Sequence, residues 1–236
     1  EEDMRIFDKR NIIAEDEQIL VVYKPSGIAV QNKGAGEMDL EHMLLNYLAS
    51  KLTGREREIP YLAVVHRLDQ PVEGLLVFAK TKKAAAVLTR QIQEHMLYKE
   101  YLAVTDGAPA APMGILTDEL IRDGRLNTSR IAKEGEKGRR KAILEYECIQ
   151  SQASGRSLIR VRLMTGRHHQ IRVQLSHAGM PIACDRKYNK TAEEKKESGQ
   201  LALCASRLIL YHPETGEKQE YHIKPRGEYF QPFDCL

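Results

Sequence analysis

The sequence predicts an α+β fold. Many short apolar runs bounded by tight turns read as strands, and helices with one apolar face are interspersed among them.

Taken in order, Ile19 to Tyr23 reads as a strand. It ends at Lys24-Pro25-Ser26-Gly27, because proline cannot continue a central ladder. Residues 39–52 place Leu40, Met43, Leu44, Tyr47 and Leu48 at helical spacing, so a helix packs one face inward. Tyr61 to Val65 and Leu75 to Ala79 read as buried strands. Lys82 to Leu97 is alanine-rich, and Ala85, Leu88, Ile92 and Met96 form the stripe of a second helix. Strands follow at about 99–105, 115–122, 141–150 and 157–164. The last alternates apolar and basic residues, one face toward the core and an arginine row toward solvent or RNA. His169 to Ala178 fits either period, but no turn interrupts it before Ala178-Gly179, which favours a helix ending at glycine. Strands at about 201–211 and 218–224 close the sheet.

At 236 residues the chain is long enough for a sizeable core. No linker, repeat or low-complexity stretch divides it, so it reads as a single domain over 1–236, with a loosely packed tail over about residues 1–10. Lys and Arg number 36 against 33 Asp and Glu, a net charge of +3 that by itself does not identify a nucleic-acid partner. The basic residues are clustered, in Lys133 to Lys141 and in Arg156, Arg160, Arg162, Arg167 and Arg172, where a solvated face and RNA contact are both open readings. Cys148, Cys184, Cys204 and Cys235 contain no CxxC pair, which argues against a disulfide framework and a zinc finger and for reduced, buried thiols in the cytoplasm. No apolar run approaches the ~18 residues of a membrane span, and no signal peptide opens the chain. His168, His169 and His177 lack standard ligand spacing, so no metal site is expected.

One carboxylate stands out. Asp69 lies in a short polar connection, His66-Arg67-Leu68-Asp69-Gln70-Pro71-Val72-Glu73-Gly74, between two predicted buried strands. An acid held there is rigid, partly desolvated and suited to reaction. An ordinary loop aspartate that caps a turn or pairs with Arg67 satisfies the same residues.

The pattern HRLD followed by GLLVFAK resembles the RluA-type family of RNA pseudouridine synthases. Four further blocks match in order: Val21-Val22-Tyr23-Lys24-Pro25-Ser26-Gly27-Ile28; Tyr98-Lys99-Glu100-Tyr101-Leu102-Ala103-Val104; Thr165-Gly166-Arg167-His168-His169-Gln170-Ile171-Arg172-Val173 with Gly179 to Asp185 and Tyr188; and Leu203 to Leu208 with His212-Pro213-Glu214-Thr215-Gly216-Glu217. The resemblance therefore spans roughly residues 20–225. It implies a mixed, largely antiparallel central sheet with flanking helices and an RNA-binding cleft, the pseudouridine synthase fold, as a single catalytic domain without a separate N-terminal RNA-binding module.

It also implies isomerisation of specific uridines to pseudouridine in structured ribosomal or transfer RNA. That reaction breaks a glycosidic bond, turns the base and rejoins it through carbon 5, with no redox step and so no cofactor. Asp69 matches the catalytic aspartate, and carboxylates are competent catalysts at glycosyl carbons. Tyr101 matches the active-site tyrosine, able to stack on a flipped uracil; packing in the core is its ordinary alternative. Tyr98 falls outside the matching position. Arg172 matches the basic partner of the aspartate, although a solvated helical arginine fits the same sequence. Arg67 is implied to fill the gap left by the extracted nucleotide, with an ion pair to Glu73 or Asp69 as its alternative. Lys24, His66, Arg167 and His169 are expected at the RNA. The partner is RNA, with no membrane, and a monomer is expected.

The match departs at three places. Val72 and Glu73 stand where the family usually has Thr-Ser, adding a negative charge near the expected cleft. His168 replaces a common threonine, and Cys184 a common glycine. The Val72-Glu73 change motivates one alternative, a catalytically silent RNA-binding or ribosome-assembly protein on the same fold. A carboxylate-dependent hydrolase of small nucleosides or sugars lacks a second well-placed acid.

Overall fold

The computed structural model describes residues 7–32, 38–52, 59–194 and 196–236. In chain order the elements are β1 (Ile12–Glu15), β2 (Ile19–Lys24), α1 (Leu40–Ser50), β3 (Ala63–Val64), β4 (Glu73–Ala79), α2 (Lys82–Gln93), β5 (Tyr98–Asp106), β6 (Met113–Asp123), β7 (Thr128–Ile131), β8 (Arg140–Ser151), β9 (Arg156–Leu163), α3 (Gln170–His177), α4 (Lys190–Glu194), β10 (Leu203–Tyr211) and β11 (Lys218–His222). The α+β expectation holds, and the strand registers within each of the two compact units are antiparallel. Unit one is Glu1–Tyr98 with Arg207–Ile223; unit two is Lys99–Ser206 with Lys224–Leu236.

In unit one, β2 pairs β4 over its whole length, from Ile19 opposite Ala79 to Lys24 opposite Gly74. Both strands are buried at every position, which is why they read as continuous apolar runs rather than alternating ones. Ile19, Val21, Leu75 and Val77 pack with Ala84 and Leu88 of α2 and with Leu208 and Leu210 of β10. Helix α1 starts where the Asp39 carboxylate accepts the His42 N–H at 2.9 Å. The strand expected over Tyr61 to Val65 is only Ala63–Val64, and Tyr61 is exposed. Helix α2 ends at Gln93, short of the expected Leu97, because His95 turns into the left-handed region at φ 57°. Met96 is therefore exposed, and Leu97 fills the core in its place. Of the tail expected to pack loosely, residues 1–6 lie outside the described residues, while Phe7 is buried.

Unit two is built on the strand order β5-β9-β8-β6-β7. Tyr101 on β5 sits opposite Val161 on β9, and β6 turns back into β7, a short strand that the sequence pattern did not reveal. Leu120, Ala142 and Val173 form one core cluster, joining β6, β8 and α3. Helix α3 buries every residue from Gln170 to Leu175. A helix buried all round has no polar face, which explains why its sequence fits two periods. The four cysteines are free, but Cys148 is half-buried and Cys235 exposed, unlike the buried set expected.

Candidate active site

The Asp69 turn in unit one is stitched to the loop that follows β2. The Lys24 ammonium donates to the carbonyls of Pro25, Ile28 and Gln70 at 2.9, 2.8 and 2.9 Å. The Gly27 N–H donates to the Gln70 carbonyl and the Gln70 side-chain amide returns a bond to the Gly27 carbonyl, each at 2.9 Å. Ser26 Oγ donates to the Pro71 carbonyl at 2.8 Å. Gly27 has φ 88°, a conformation that glycine adopts without strain. The turn itself is closed by the Val72 N–H donating to the Asp69 carbonyl at 3.0 Å. Its entry is fixed by His66, whose Nε2 accepts the Val77 N–H at 3.1 Å.

Lys24 is 0% exposed, so its three donors organise backbone rather than reach a phosphate. Lys24 holds the loop through these bonds. His66 is likewise buried and bonded to β4. Burial pushes the Lys24 ammonium down to about 7, opposed by the attraction of the Asp69 and Glu73 carboxylates. The half-buried Asp69 thus sits on a cross-braced turn, within electrostatic range of a buried cation. Arg67 is exposed and forms no ion pair among the described residues, so the expected alternative pairing with Glu73 or Asp69 is not formed.

Glu73 is 1% exposed and accepts a short hydrogen bond from the Tyr23 hydroxyl. The charge expected near an RNA surface is instead inside unit one, on β4 beside β2, where Tyr23 and Lys24 receive it.

In unit two, Arg172 is 4% exposed, which removes the solvated-arginine alternative. Its Nε and Nη2 donate to Asp185 Oδ2 and Oδ1 at 2.8 and 2.7 Å, and the guanidinium lies 5.1 Å from the Tyr188 ring centroid. Asp185 was legible as part of a matching block, but its role as the arginine's clasp was not. Tyr101 is buried on β5.

The loop before α3 is held by Gln170, whose Oε1 accepts from the Arg167 N–H and Thr165 Oγ1, each at 2.9 Å. Arg167 is exposed, with Nε donating to the Lys141 carbonyl at 3.0 Å. His169 takes a left-handed backbone at φ 54° and starts the helix. It is buried, and its Nδ1 lies 2.6 Å from the Tyr188 hydroxyl, which also accepts the Ser129 N–H at 2.8 Å. Burial first, then the Arg172 charge, pushes His169 down to about 2, so it is a neutral structural side chain at ordinary pH. His168 stacks on it at 3.8 Å and is pushed down to about 4 by burial and by Arg122, Lys187 and Arg172. His177 goes elsewhere, to Asp118 at 3.0 Å. The three histidines thus meet separate partners, and no metal-holding group of His, Cys, Asp or Glu occurs among the described residues.

The arginine row on β9 is ion-paired across strands. Arg160 meets Glu147 at 2.6 Å and Glu100 at 3.3 Å, and Arg162 meets Glu100 at 3.3 Å. A cavity of about 360 Å³ lies there, lined by Met113, Ile115, Tyr146, Arg160 and Arg162 among others, and it contains none of the expected site residues.

The family model described as RNA pseudouridylate synthase matches residues 18–177. "Ribosomal large subunit pseudouridine synthase C" of Buchnera aphidicola subsp. Schizaphis graminum is 32% identical over 94% of this chain and 69% of its own length. "Ribosomal large subunit pseudouridine synthase D" of Zymomonas mobilis is 34% identical over 89% of this chain and 67% of its own. Among solved structures, "Human RNA Pseudouridylate Synthase Domain Containing 4" shares the fold with a TM-score of 0.74 at 24% identity, covering 92% of this chain and 89% of that one. No helix among the described residues is long and apolar enough to cross a membrane. With a family model over most of its length and relatives at this identity, the chain belongs to the RNA pseudouridine synthase family, the isomerases that convert uridine in RNA.

Proposed function

We propose that this enzyme isomerises uridine to pseudouridine in large-subunit ribosomal RNA, with Asp69 as the catalytic carboxylate. The observation that carries this reading is the cross-braced Asp69 turn, in which a buried ammonium faces the carboxylate and three segments of backbone hold it still. The RNA class follows the printed names of its relatives. Arg67, exposed and without an ion pair among the described residues, is suited to fill the space of an extracted nucleotide. Tyr101 is the residue assigned to stack on the flipped base, and Arg172 is assigned as the basic member of the catalytic set. Two of the five N–H donors of Arg172 are held by Asp185, a clasp that fixes the plane of the guanidinium. Arg167, exposed beside α3, contacts the RNA backbone. Glycosyl cleavage and rejoining through carbon 5 need no external group, so the enzyme works without a cofactor, as a cytoplasmic monomer.

The silent RNA-binder loses its motivation, since Glu73 lies inside unit one rather than facing RNA. The test is a pseudouridine map of total RNA from cells with the gene intact, deleted, or restored as Asp69→Asn. One or more ribosomal uridines modified only with the intact gene are expected. Modification retained in the Asp69→Asn strain would remove Asp69 from catalysis, and identical maps in all strains would remove the activity.

A further inference from the structure

The hairpin of β6 and β7 carries a group of side chains that the proposed chemistry does not use. Arg122 pairs in register with Ser129, so the two side chains leave one face of the hairpin. Ser129 Oγ lies 2.9 Å from His168 Nδ1, which puts Arg122 on the same face as His168. On the other edge of the ring, His168 Nε2 lies 3.2 Å from Asn127 Oδ1. Lys187 Nζ donates to the Asn127 carbonyl at 2.8 Å. A half-exposed imidazole is therefore fixed by two hydrogen bonds and a stack on His169, with an exposed cation on either side. Arg122 has no hydrogen bond or ion pair among the described residues. The charges of Arg122 and Lys187 both bear on His168, an independent sign that they crowd it.

A neutral planar ring between two cations matches the parts of a nucleotide, a flat base and an anionic phosphate. We propose that Arg122, His168 and Lys187 form an RNA anchor on unit two, the imidazole stacking on an unpaired base while the two cations bind the flanking phosphates. The anchor rests on the reading that the substrate is RNA.

The test uses the full chain and unmodified large-subunit ribosomal RNA transcribed in vitro. Dissociation constants are measured across a potassium chloride series, with kcat and KM for pseudouridine formation. His168→Ala is expected to raise Kd and KM roughly ten-fold with kcat unchanged, and His168→Phe to restore much of the loss. Arg122→Ala and Lys187→Ala are each expected to reduce the salt slope of binding by about one. Unchanged Kd and KM in His168→Ala with a wild-type melting temperature would overturn the anchor, as would unchanged salt slopes in both cation variants. Because Arg122 is exposed, its variant reports even where a His168 change perturbs folding. A wild-type protein that binds the transcript but forms no pseudouridine would overturn the proposed activity, while the binding series would still decide the anchor.

Discussion

Arg172 and Asp185 meet inside unit two through two parallel hydrogen bonds, Nε to Oδ2 at 2.8 Å and Nη2 to Oδ1 at 2.7 Å. Removing one member of such a buried pair typically costs roughly 3–5 kcal/mol. Asp185→Ala is expected to lower the unfolding free energy by that amount in urea titrations. Arg172→Lys keeps the charge but loses the fork, so its loss should be smaller. A urea midpoint for Asp185→Ala equal to that of wild type would show that the clasp is not structural.

Tyr23 and Glu73 form the corresponding buried contact in unit one. Tyr23→Phe deprives a buried carboxylate of a donor and should destabilise by roughly 1–3 kcal/mol. Affinity for RNA should not change, since both side chains are covered. Weakened RNA binding at unchanged melting temperature would mean that Glu73 faces the RNA after all.

Lys24 loses its proton near 7 in the folded protein and near 10.5 when exposed. Between those values the unfolded chain binds more protons, so stability rises with pH through this window. From pH 7 to 9 the wild type should gain roughly 2 kcal/mol more than Lys24→Met in urea titrations at the two pH values. Equal gains would refute the buried-ammonium account. Lys24→Met also deprives the carbonyls of Pro25, Ile28 and Gln70 of a donor, so kcat should fall while RNA affinity holds.

His169 carries the opposite end of the pH range. Its folded value near 2 lies below the ordinary 6.5, so the unfolded chain takes up the proton first as pH falls. The contribution is complete above 6.5 and declines on acidification through that value. Between pH 7 and 5 the wild type should lose roughly 2 kcal/mol more than His169→Asn, a substitution that tolerates the left-handed backbone. A matching acid loss in the variant would show that His169 is not the group involved.

Much of unit one was legible because β2 and β4 are continuous apolar runs, and such runs are written locally. The Asp69 turn was legible because it leads directly into one of them, β4, although the run before it shortens to the half-buried Ala63–Val64. Helix α3 was harder, since its all-round burial removes the polar face that sets the period. The short β7 was missed because four residues of mixed polarity carry too little pattern, and its pairing with Leu120 to Asp123 is what defines it. The burial of Lys24 and His66 was not legible, because charge and polarity in a sequence do not report burial.

The sequence by itself determined the fold class, most of the strands in chain order and the position of one aspartate just before the buried strand β4. It did so because hydrophobic period and turn residues act over a few neighbours. Which side chain receives each buried charge was decided only by tertiary structure. Glu73 reaches Tyr23, Arg172 reaches Asp185, and Lys24 closes on Gln70, all through hydrogen bonds between residues distant along the chain. Those bonds are set by burial, where an unpaired charge is too costly to persist and takes whichever partner the packing brings within reach.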